Sequence, residues 1–352
     1  MKKRIISILI VSMCVFSLFA QGAEEASDKV WPKTQPVVYI GFGAGGGTDT
    51  SVRPVIAKME EYLGETINVV NQSGASSAVA ANNVIHKDHD GYSMFATGSG
   101  AFSGFRVNGT SDTYWADWIS FHPFTGPAVL VVREDSDLQD FDDVIARLKS
   151  GDMINFAISG FGVGPHVLFD AIRSEVGAAQ PNYITSGSCN KAGVSVIAGD
   201  AEMAMATFGS VIDFIKAGQL RAVAITSTDD YTKFGLNIPA IVSLIPDSDY
   251  IPMLSETWPI MIPRDAPADM VAKIKEAFLW AIEQDEIVDY AENMGYELCG
   301  YTDEEADKFY AIQESGYSWA QWNSGMVEND PAKIGIPTLE EFDWEQMKAQ
   351  IN

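Results

Sequence analysis

The chain has 352 residues, enough for two domains or for one large one. Hydrophobic residues make up 47% of it and charged residues 20%, which excludes a disordered chain and allows a substantial core. A net charge of −25 excludes a nucleic-acid or anionic-membrane binder, because both need a basic footprint.

The start of the chain predicts a secretory signal peptide over residues 1–23. A basic stretch at residues 2–4 precedes an apolar run at residues 5–20, and small residues follow. The run is too short and wrongly flanked for a spanning helix, so we expect the mature protein outside the cytoplasm, in the periplasm or an equivalent compartment. Cys14 raises lipidation as an alternative, although Val-Ser-Met before it is a poor lipobox.

Strands and helices alternate along the mature chain. Short apolar runs predict strands in PVVYIGF, TINVVNQ, YSMFAT, PAVLVVRED, INFAISG, PNYITSG, AEMAMATFG and LRAVAITS. Amphipathic patterns predict helices between them, the first stopping at Gly64, and one long helix in ADMVAKIKEAFLWAIEQDEIVDYAENMG. The repetition predicts an α/β fold of two units, each a mostly parallel sheet covered by helices. A proline-rich stretch at residues 238–267 predicts a crossover between them.

The loop GFGAGGG follows the first predicted strand and precedes a helix. Gly41, Gly43 and Gly46 fit the dinucleotide pattern GxGxxG, and this position favours an anion through backbone N–H groups and the helix dipole. A dinucleotide site also needs an acidic residue at the end of the second strand, where this chain has Asn71 and Gln72. We therefore retain an anion site, reject the nucleotide and predict no cofactor.

Four further loops are rich in glycine and serine, and each follows a predicted strand. They cover residues 71–78, 97–100, 159–166 and 185–193. Taken singly, each is explained as a turn. Because ligands bind at the carboxyl ends of strands in open α/β sheets, several such loops in both units predict one shared binding cleft.

In chain order, these segments resemble the substrate-binding receptors of tripartite tricarboxylate transporters, the TctC or Bug family. The resemblance covers about residues 37–300. It is carried by Gly45-Gly46-x-x-Asp49 with Arg53, and by NQSGASSAVAANNV, HDGYSMFATGS, NFAISGFGVGPH, AGVSVIAGDAEMAMATFGSVIDFIKAGQLRAVAITS and TWPIMIPRDAPADMVAKI. It implies a two-lobed class II periplasmic binding-protein fold that closes on a small organic carboxylate and delivers it to the membrane permease subunits of such a transporter.

The resemblance also implies where the lobes divide. We expect lobe 1 to comprise residues 30–133 and 253–352, and lobe 2 residues 134–252. Crossover strands are expected near residues 127–133 and 255–263. We expect the protein to be a monomer.

The predicted ligand site combines the family's loops with the glycine- and serine-rich loops. The resemblance implies that backbone N–H groups and hydroxyls of the first loop and of the second lobe hold one carboxylate. With residues in or beside the other loops, the predicted ligand-binding residues are Phe42, Ala44, Gly45, Gly46, Asp49, Ser73, Ala75, Ser99, Ser159, Gly160, Phe161, His166, Ser186, Thr207 and Phe208.

Each of these residues has a structural alternative. Asp49 fits a helix cap alone, with Arg53 four residues later as its ion-pair partner. His166 fits a structural histidine as well as a ligand contact. The aromatic residues fit core packing as well as an apolar wall for the ligand.

Two segments of the second unit depart from the family's pattern. TDDYTKFGLNIPAIVSL lacks the usual arginine and the Pro-x-Val-Pro-Thr run, and NYITSGSCNKAG stands where a Tyr-Lys-Gly stretch is common. We therefore predict an unusual specificity pocket. Monocarboxylates, dicarboxylates, tricarboxylates, amino acids and aromatic acids all stay open as ligands.

Other chemistry is weakly supported. The sequence has no GxSxG motif and no metal-ligand cluster, and His86 and His89 fit a solvated helix end, so we predict neither an enzyme nor a metal site. A secreted hydrolase and a ligand sensor for a signalling partner are the alternatives. Cys189 and Cys299 are open to a disulfide or to two free buried thiols.

Overall fold

The computed structural model describes residues 31–245 and 255–351, so the predicted signal peptide with Cys14 lies outside the described residues. The strands are β1 Val37–Ile40, β2 Asn68–Asn71, β3 Ser93–Ala96, β4 Trp118–Arg133, β5 Asn155–Ile158, β6 Asn182–Thr185, β7 Met203–Thr207, β8 Leu220–Ile225, β9 Ser255–Thr257, β10 Ile260–Pro263 and β11 Glu297–Tyr301. The helices are α1 Gly47–Leu63, α2 Ala78–Ile85, α3 Ser99–Ser103, α4 Phe105–Asn108, α5 Phe141–Lys149, α6 Gly164–Glu175, α7 Cys189–Ala198, α8 Phe208–Lys216, α9 Ile241–Leu244, α10 Ala268–Ile282, α11 Asp285–Met294, α12 Asp303–Asn323 and α13 Trp344–Lys348.

Helix ends follow local chemistry. α1 stops as predicted at Gly64, whose φ of 67° is the left-handed conformation that ends many helices. The single long helix predicted over residues 268–295 is wrong, because the chain breaks between α10 and α11. Asp285 and Glu286 stand in the first turn of α11, where negative charge is favoured, and so begin a new helix.

The strands form two sheets that share β4. The first has the order β2-β1-β3-β10-β4 and the second β6-β5-β7-β4-β8. β1 is parallel to β2 and β3, and β5 is parallel to β6 and β7. β10 is antiparallel to its neighbours in the first sheet, as β4 is in the second. The predicted fold class, two lobes with mostly parallel mixed sheets, is confirmed.

β4 runs from one lobe into the other. Residues 118–121 pair with β10, residues 125–127 with β9, and residues 128–133 with β7 and β8. β9 is antiparallel to β4 at this point, so the chain passes between the lobes on two adjacent strands.

Helices cover both faces of the sheets, and α12 belongs to both cores. Tyr310 and Ala311 are buried in a cluster of lobe 1, whereas Tyr317 and Ala320 are buried in a cluster of lobe 2. α12 also packs against α3 and α6, which face each other across the lobes. Within the described ranges, no helix combines the length and the apolar character needed to cross a membrane.

Candidate ligand-binding cleft

The glycine loop between β1 and α1 depends on close backbone approaches. A Cβ at Gly41 would overlap the chain that follows β2, and Gly45 has a φ of 75°. α1 begins after Gly46, which is extended and offers no side chain to cap the helix. The N–H groups of the first turn have no partner within the helix, and Gly46, Gly47 and Thr48 line a cavity between the lobes.

Asp49 holds this loop in place. Its Oδ2 accepts the N–H of Gly45 at 2.9 Å, and its Oδ1 accepts Nε of Arg53 at 2.7 Å and Nδ2 of Asn71 at 2.8 Å. Burial alone would raise the pKa of Asp49, but these hydrogen bonds outweigh it and hold the pKa below its ordinary value. The predicted pairing with Arg53 is confirmed, and the carboxylate is committed to protein partners.

The second lobe brings two more helix N-termini to the cavity. Ser188 caps α7 by accepting the N–H of Lys191 at 3.3 Å, and Cys189 is the first residue of that helix. α6 begins beside Val163, with Pro165 in its first turn, where the missing N–H costs nothing.

The cavity therefore lies among the N-termini of α1, α6 and α7, three helices of at least ten residues. It encloses about 400 Å³ counting its mouth. Each helix N-terminus acts as roughly half a positive charge, so the three together favour an anion. The lining residues are Phe42, Gly46, Gly47, Thr48, Gly98, Ser159, Val163, Pro165, Gly187, Ser188, Cys189, Thr207, Glu256 and Trp258.

The two lobes touch each other beside the cavity. The hydroxyl of Ser76 donates to the carbonyl of Phe161 at 2.7 Å. A Cβ at Gly100 would lie 2.7 Å from Cα of Gly164, so α3 and α6 approach backbone to backbone. The remaining space holds only a few waters, and a larger ligand requires the lobes to separate.

Glu256 on β9 borders the cavity and was not among the predicted site residues. It is 7% exposed, and among the described residues it has no ion-pair partner. The N–H of Gly100 donates to its carboxyl. Burial nevertheless raises the pKa of Glu256 to about 7, because the charged form is poorly solvated there.

The structure divides the predicted residues into two groups. Those that line the cavity are Phe42, Gly46, Ser159 and Thr207. Those that do not line it are Ala44, Gly45, Asp49, Ser73, Ala75, Ser99, Gly160, Phe161, His166, Ser186 and Phe208. Their contact with a ligand stays a prediction.

Several members of the second group already have protein partners. The hydroxyl of Ser99 accepts the N–H of Thr257 at 3.0 Å, which ties α3 to β9. Phe208 is buried with its ring centroid 4.7 Å from that of Tyr231. Phe161, by contrast, is 56% exposed at the lobe contact.

His166 is neutral in this setting. Its Nδ1 accepts the N–H of Gly162 at 3.0 Å, which assigns the proton to Nε2, and burial lowers its pKa to about 4. Nε2 is buried and has no hydrogen-bond partner among the described residues. The ring packs edge-on against Tyr183, with centroids 4.6 Å apart.

Sequence reasoning found the loops of the cleft better than the individual residues. Gly98 lies within the predicted loop 97–100, and Gly187, Ser188 and Cys189 lie within the predicted loop 185–193. The available signal for Glu256 was an acidic residue within the predicted crossover at residues 255–263, but its burial is seen only in the structure.

A larger hollow of about 1100 Å³, counted in the same way with its mouth, lies on lobe 1 beside α2, bordered by His86, His89 and Arg264. Two of its charged or titratable groups pair with protein groups: His89 contacts Asp265, and Arg264 binds Asp307 at 2.6 Å. The described residues contain no group of His, Cys, Asp or Glu side chains able to hold a metal ion.

Both described cysteines are free thiols, which settles the disulfide question for these residues. Cys189 is buried beside the cavity, and burial raises its pKa. Burial likewise raises the pKa of Cys299 to about 12. Neither thiol is therefore activated as a nucleophile.

Two lobes that share a strand and enclose a cleft lined by helix N-termini define a periplasmic binding protein fold. Residues 52–320 match the tripartite tricarboxylate transporter family receptor, TctC, and the chain belongs to this family. This is a family of binding proteins and not of enzymes.

Individual relatives agree with this assignment. Protein BugT of Bordetella pertussis is 23% identical over 333 residues, covering 93% of this chain and 98% of the relative. The solved structure of the periplasmic binding protein BugD has a TM-score of 0.76 at 19% identity, covering 84% of this chain and 99% of that one. MatC from Rhodopseudomonas palustris with bound malate has a TM-score of 0.73 at 19% identity, covering 84% of this chain and 100% of that one.

A further Rhodopseudomonas palustris structure, with adipate, has a TM-score of 0.75 at 17% identity. It covers 84% of this chain and 99% of that one.

Proposed function

We propose that this protein is an extracytoplasmic receptor that binds one small organic carboxylate between its lobes and delivers it to a tripartite tricarboxylate-type transporter. The observation that carries the proposal is the convergence of the N-termini of α1, α6 and α7 on one cavity. A carboxylate taken from water needs several donors, and N–H groups and hydroxyls supply them here. Relatives solved with malate and adipate support the same ligand class.

The mechanism is closure of the lobes on the ligand. Lobe 1, residues 30–133 with 253–352, supplies the N-terminus of α1, and lobe 2, residues 134–252, supplies those of α6 and α7. The adjacent strands β4 and β9 form the hinge between them. Because the ligand contacts both lobes only when they meet, its binding favours the closed state.

Thermal unfolding of the refolded, ligand-stripped mature protein tests the ligand class. The panel contains organic acids, amino acids, sugars and NAD. A ligand at 100 times its Kd stabilises the folded state by about 2.7 kcal/mol, which is a clear shift. We expect shifts with carboxylates alone, and a shift with NAD alone would contradict the proposal.

Delivery is tested separately from binding. We expect cells that carry a tricarboxylate-type permease to take up the labelled ligand only when the receptor is exported with its leader, residues 1–23. Binding without any gain in uptake through the cognate permease would favour a sensor for a signalling partner.

A further inference from the structure

Glu256 is unlike the rest of the cleft. Among the described residues that line the cavity, it alone carries a carboxyl or amino group. The other polar contributions come from backbone N–H groups, the hydroxyls of Thr48, Ser159, Ser188 and Thr207, the thiol of Cys189 and the Trp258 indole. An ionised carboxyl group in a cavity that favours an anion repels that anion, unless the ligand also carries a positive charge that offsets the repulsion.

The carboxyl of Glu256 is placed between the lobes. A Cβ at Gly98 would lie 2.5 Å from its Oε1, and a Cβ at Gly164 would lie 2.8 Å from its Oε2. One oxygen therefore packs against the start of α3 in lobe 1 and the other against the start of α6 in lobe 2. Glycine at both positions leaves the room that this side chain occupies.

The protein gives this carboxyl too few partners. An ionised carboxylate has about four acceptor sites, and the N–H of Gly100 fills one. The titratable neighbours are Cys189 and three tyrosines, Tyr296, Tyr310 and Tyr317, whose pKa values are raised by burial, so they stay neutral. The hydroxyl of Tyr317 is buried without a partner among the described residues.

We propose that Glu256 selects a ligand with an ammonium group next to its carboxylate, so that the protein is a receptor for an α-amino acid. The inference rests on the proposed function: the helix N-termini hold the carboxylate, and Glu256 holds the ammonium. The ammonium cancels the repulsion between two carboxylates in one small cavity and supplies three donors to the under-partnered oxygens. Because Glu256 and the three helix N-termini border the same cavity, the ligand must carry its two charges close together, as an α-amino acid does.

Matched ligand pairs test the inference by titration calorimetry on the ligand-stripped protein at pH 8, where Glu256 is ionised. The pairs are aspartate with succinate, glutamate with glutarate, and alanine with propionate, which differ by one ammonium group. For the pair that fits, we expect the amino acid to bind about 30-fold more tightly or better. Glu256→Gln should reduce the ratio to about 3-fold or less, since the neutral amide keeps shape but not charge.

The control is Glu175→Gln at the far end of α6, which removes the same charge from an exposed position and should keep the wild-type ratio. Equal binding within every pair by the wild-type protein overturns the inference and leaves the carboxylate receptor intact. Absence of binding by any member of the pairs and by the wider acid panel overturns both. If Glu256→Gln does not fold, the wild-type ratio alone decides.

Discussion

Asp49 and Glu256 are both nearly buried carboxyl groups beside the cleft, 5% and 7% exposed, yet their surroundings differ. Asp49 accepts three hydrogen bonds, one of them from an arginine, and its pKa is lowered. Glu256 accepts one N–H and has no cation, and its pKa is raised to about 7. The two carboxyl groups are about equally buried, so the number of hydrogen-bond donors around each explains the difference: Asp49 holds a loop, and Glu256 is left for a ligand.

The two groups should respond to pH with opposite sign. Because the pKa of Asp49 is lowered in the folded protein, its carboxylate stabilises the fold at any pH above the ordinary aspartate pKa. This stability is lost as the pH falls through the lowered pKa of the folded state. The raised pKa of Glu256 makes the folded state bind more protons between about pH 4.5 and 7, so stability falls as pH rises through that window.

The largest expected effect comes from Glu256→Gln. At pH 8 the ligand-free variant should be more stable than the wild type by about 3 kcal/mol, because the penalty for ionising a buried carboxyl is removed. At pH 5 the two proteins should be nearly equal. Urea unfolding at both pH values measures this, and a difference independent of pH would mean that Glu256 is not the group that titrates.

Gly100→Ala disturbs the one donor of Glu256. Its Cβ would lie 2.7 Å from Cα of Gly164 and 2.8 Å from Cζ of Tyr317, so backbone must shift. We expect a loss of about 2–3 kcal/mol in the free energy of unfolding, together with weaker ligand binding. Gly160→Ala is the matched control for the free energy of unfolding alone, because its Cβ would meet only Cγ1 of Val163, at 3.8 Å, while Gly160 stays a predicted ligand contact. An equal loss in the free energy of unfolding for the two variants would contradict the importance of the close approach between Gly100 and Gly164.

Asp49→Asn replaces a carboxylate that accepts three hydrogen bonds, from Gly45, Arg53 and Asn71. We expect a loss of about 1–2 kcal/mol, because the amide nitrogen cannot accept the N–H of Gly45 and the charge opposite Arg53 is gone. Chemical denaturation at pH 7 measures the loss. Asp289→Asn, on an exposed position of α11, should leave stability nearly unchanged. A loss at Asp289 as large as that at Asp49 would show that net charge, not donor supply, sets the effect.

Arg53→Gln should have the smallest effect, below about 1 kcal/mol. The Arg53 side chain is 42% exposed, so solvent screens its pairing, and Asp49 keeps two other donors. We expect the remaining loss to shrink at high salt. Unfolding at two salt concentrations checks this, and a large loss that is insensitive to salt would contradict the donor count for Asp49.

Local signals in the sequence were sufficient for the alternation of strands and helices, the end of α1 at Gly64 and the Asp49–Arg53 pair. The first half of β4 was missed, since only residues 127–135 were predicted as strand. Its buried polar side chains hide the apolar pattern: His122 pairs with Thr257 at 2.8 Å and with Ser120 at 2.9 Å. Those partners are visible only in the folded chain.

Glu256 was missed for a related reason. Its importance comes from burial and from the two glycines around its carboxyl, which come from segments on either side of the lobe boundary. No spacing within the sequence brings Gly98, Gly164 and Glu256 together. Glycine-rich loops can be recognised from the local sequence, whereas the role of a single buried acidic residue on a crossover strand depends on its tertiary contacts.

The shared strand β4 also sets an order of assembly. The second sheet is built from a nearly continuous stretch, residues 128–225, whereas β10 enters the middle of the first sheet between β3 and β4 from beyond residue 255. A chain made from its N-terminus can therefore pair all the strands of the second sheet while the facing edges of β3 and β4 are still open. Open strand edges can pair with other chains, so the sheet that starts the sequence is the last to be completed and the one more exposed to aggregation during synthesis.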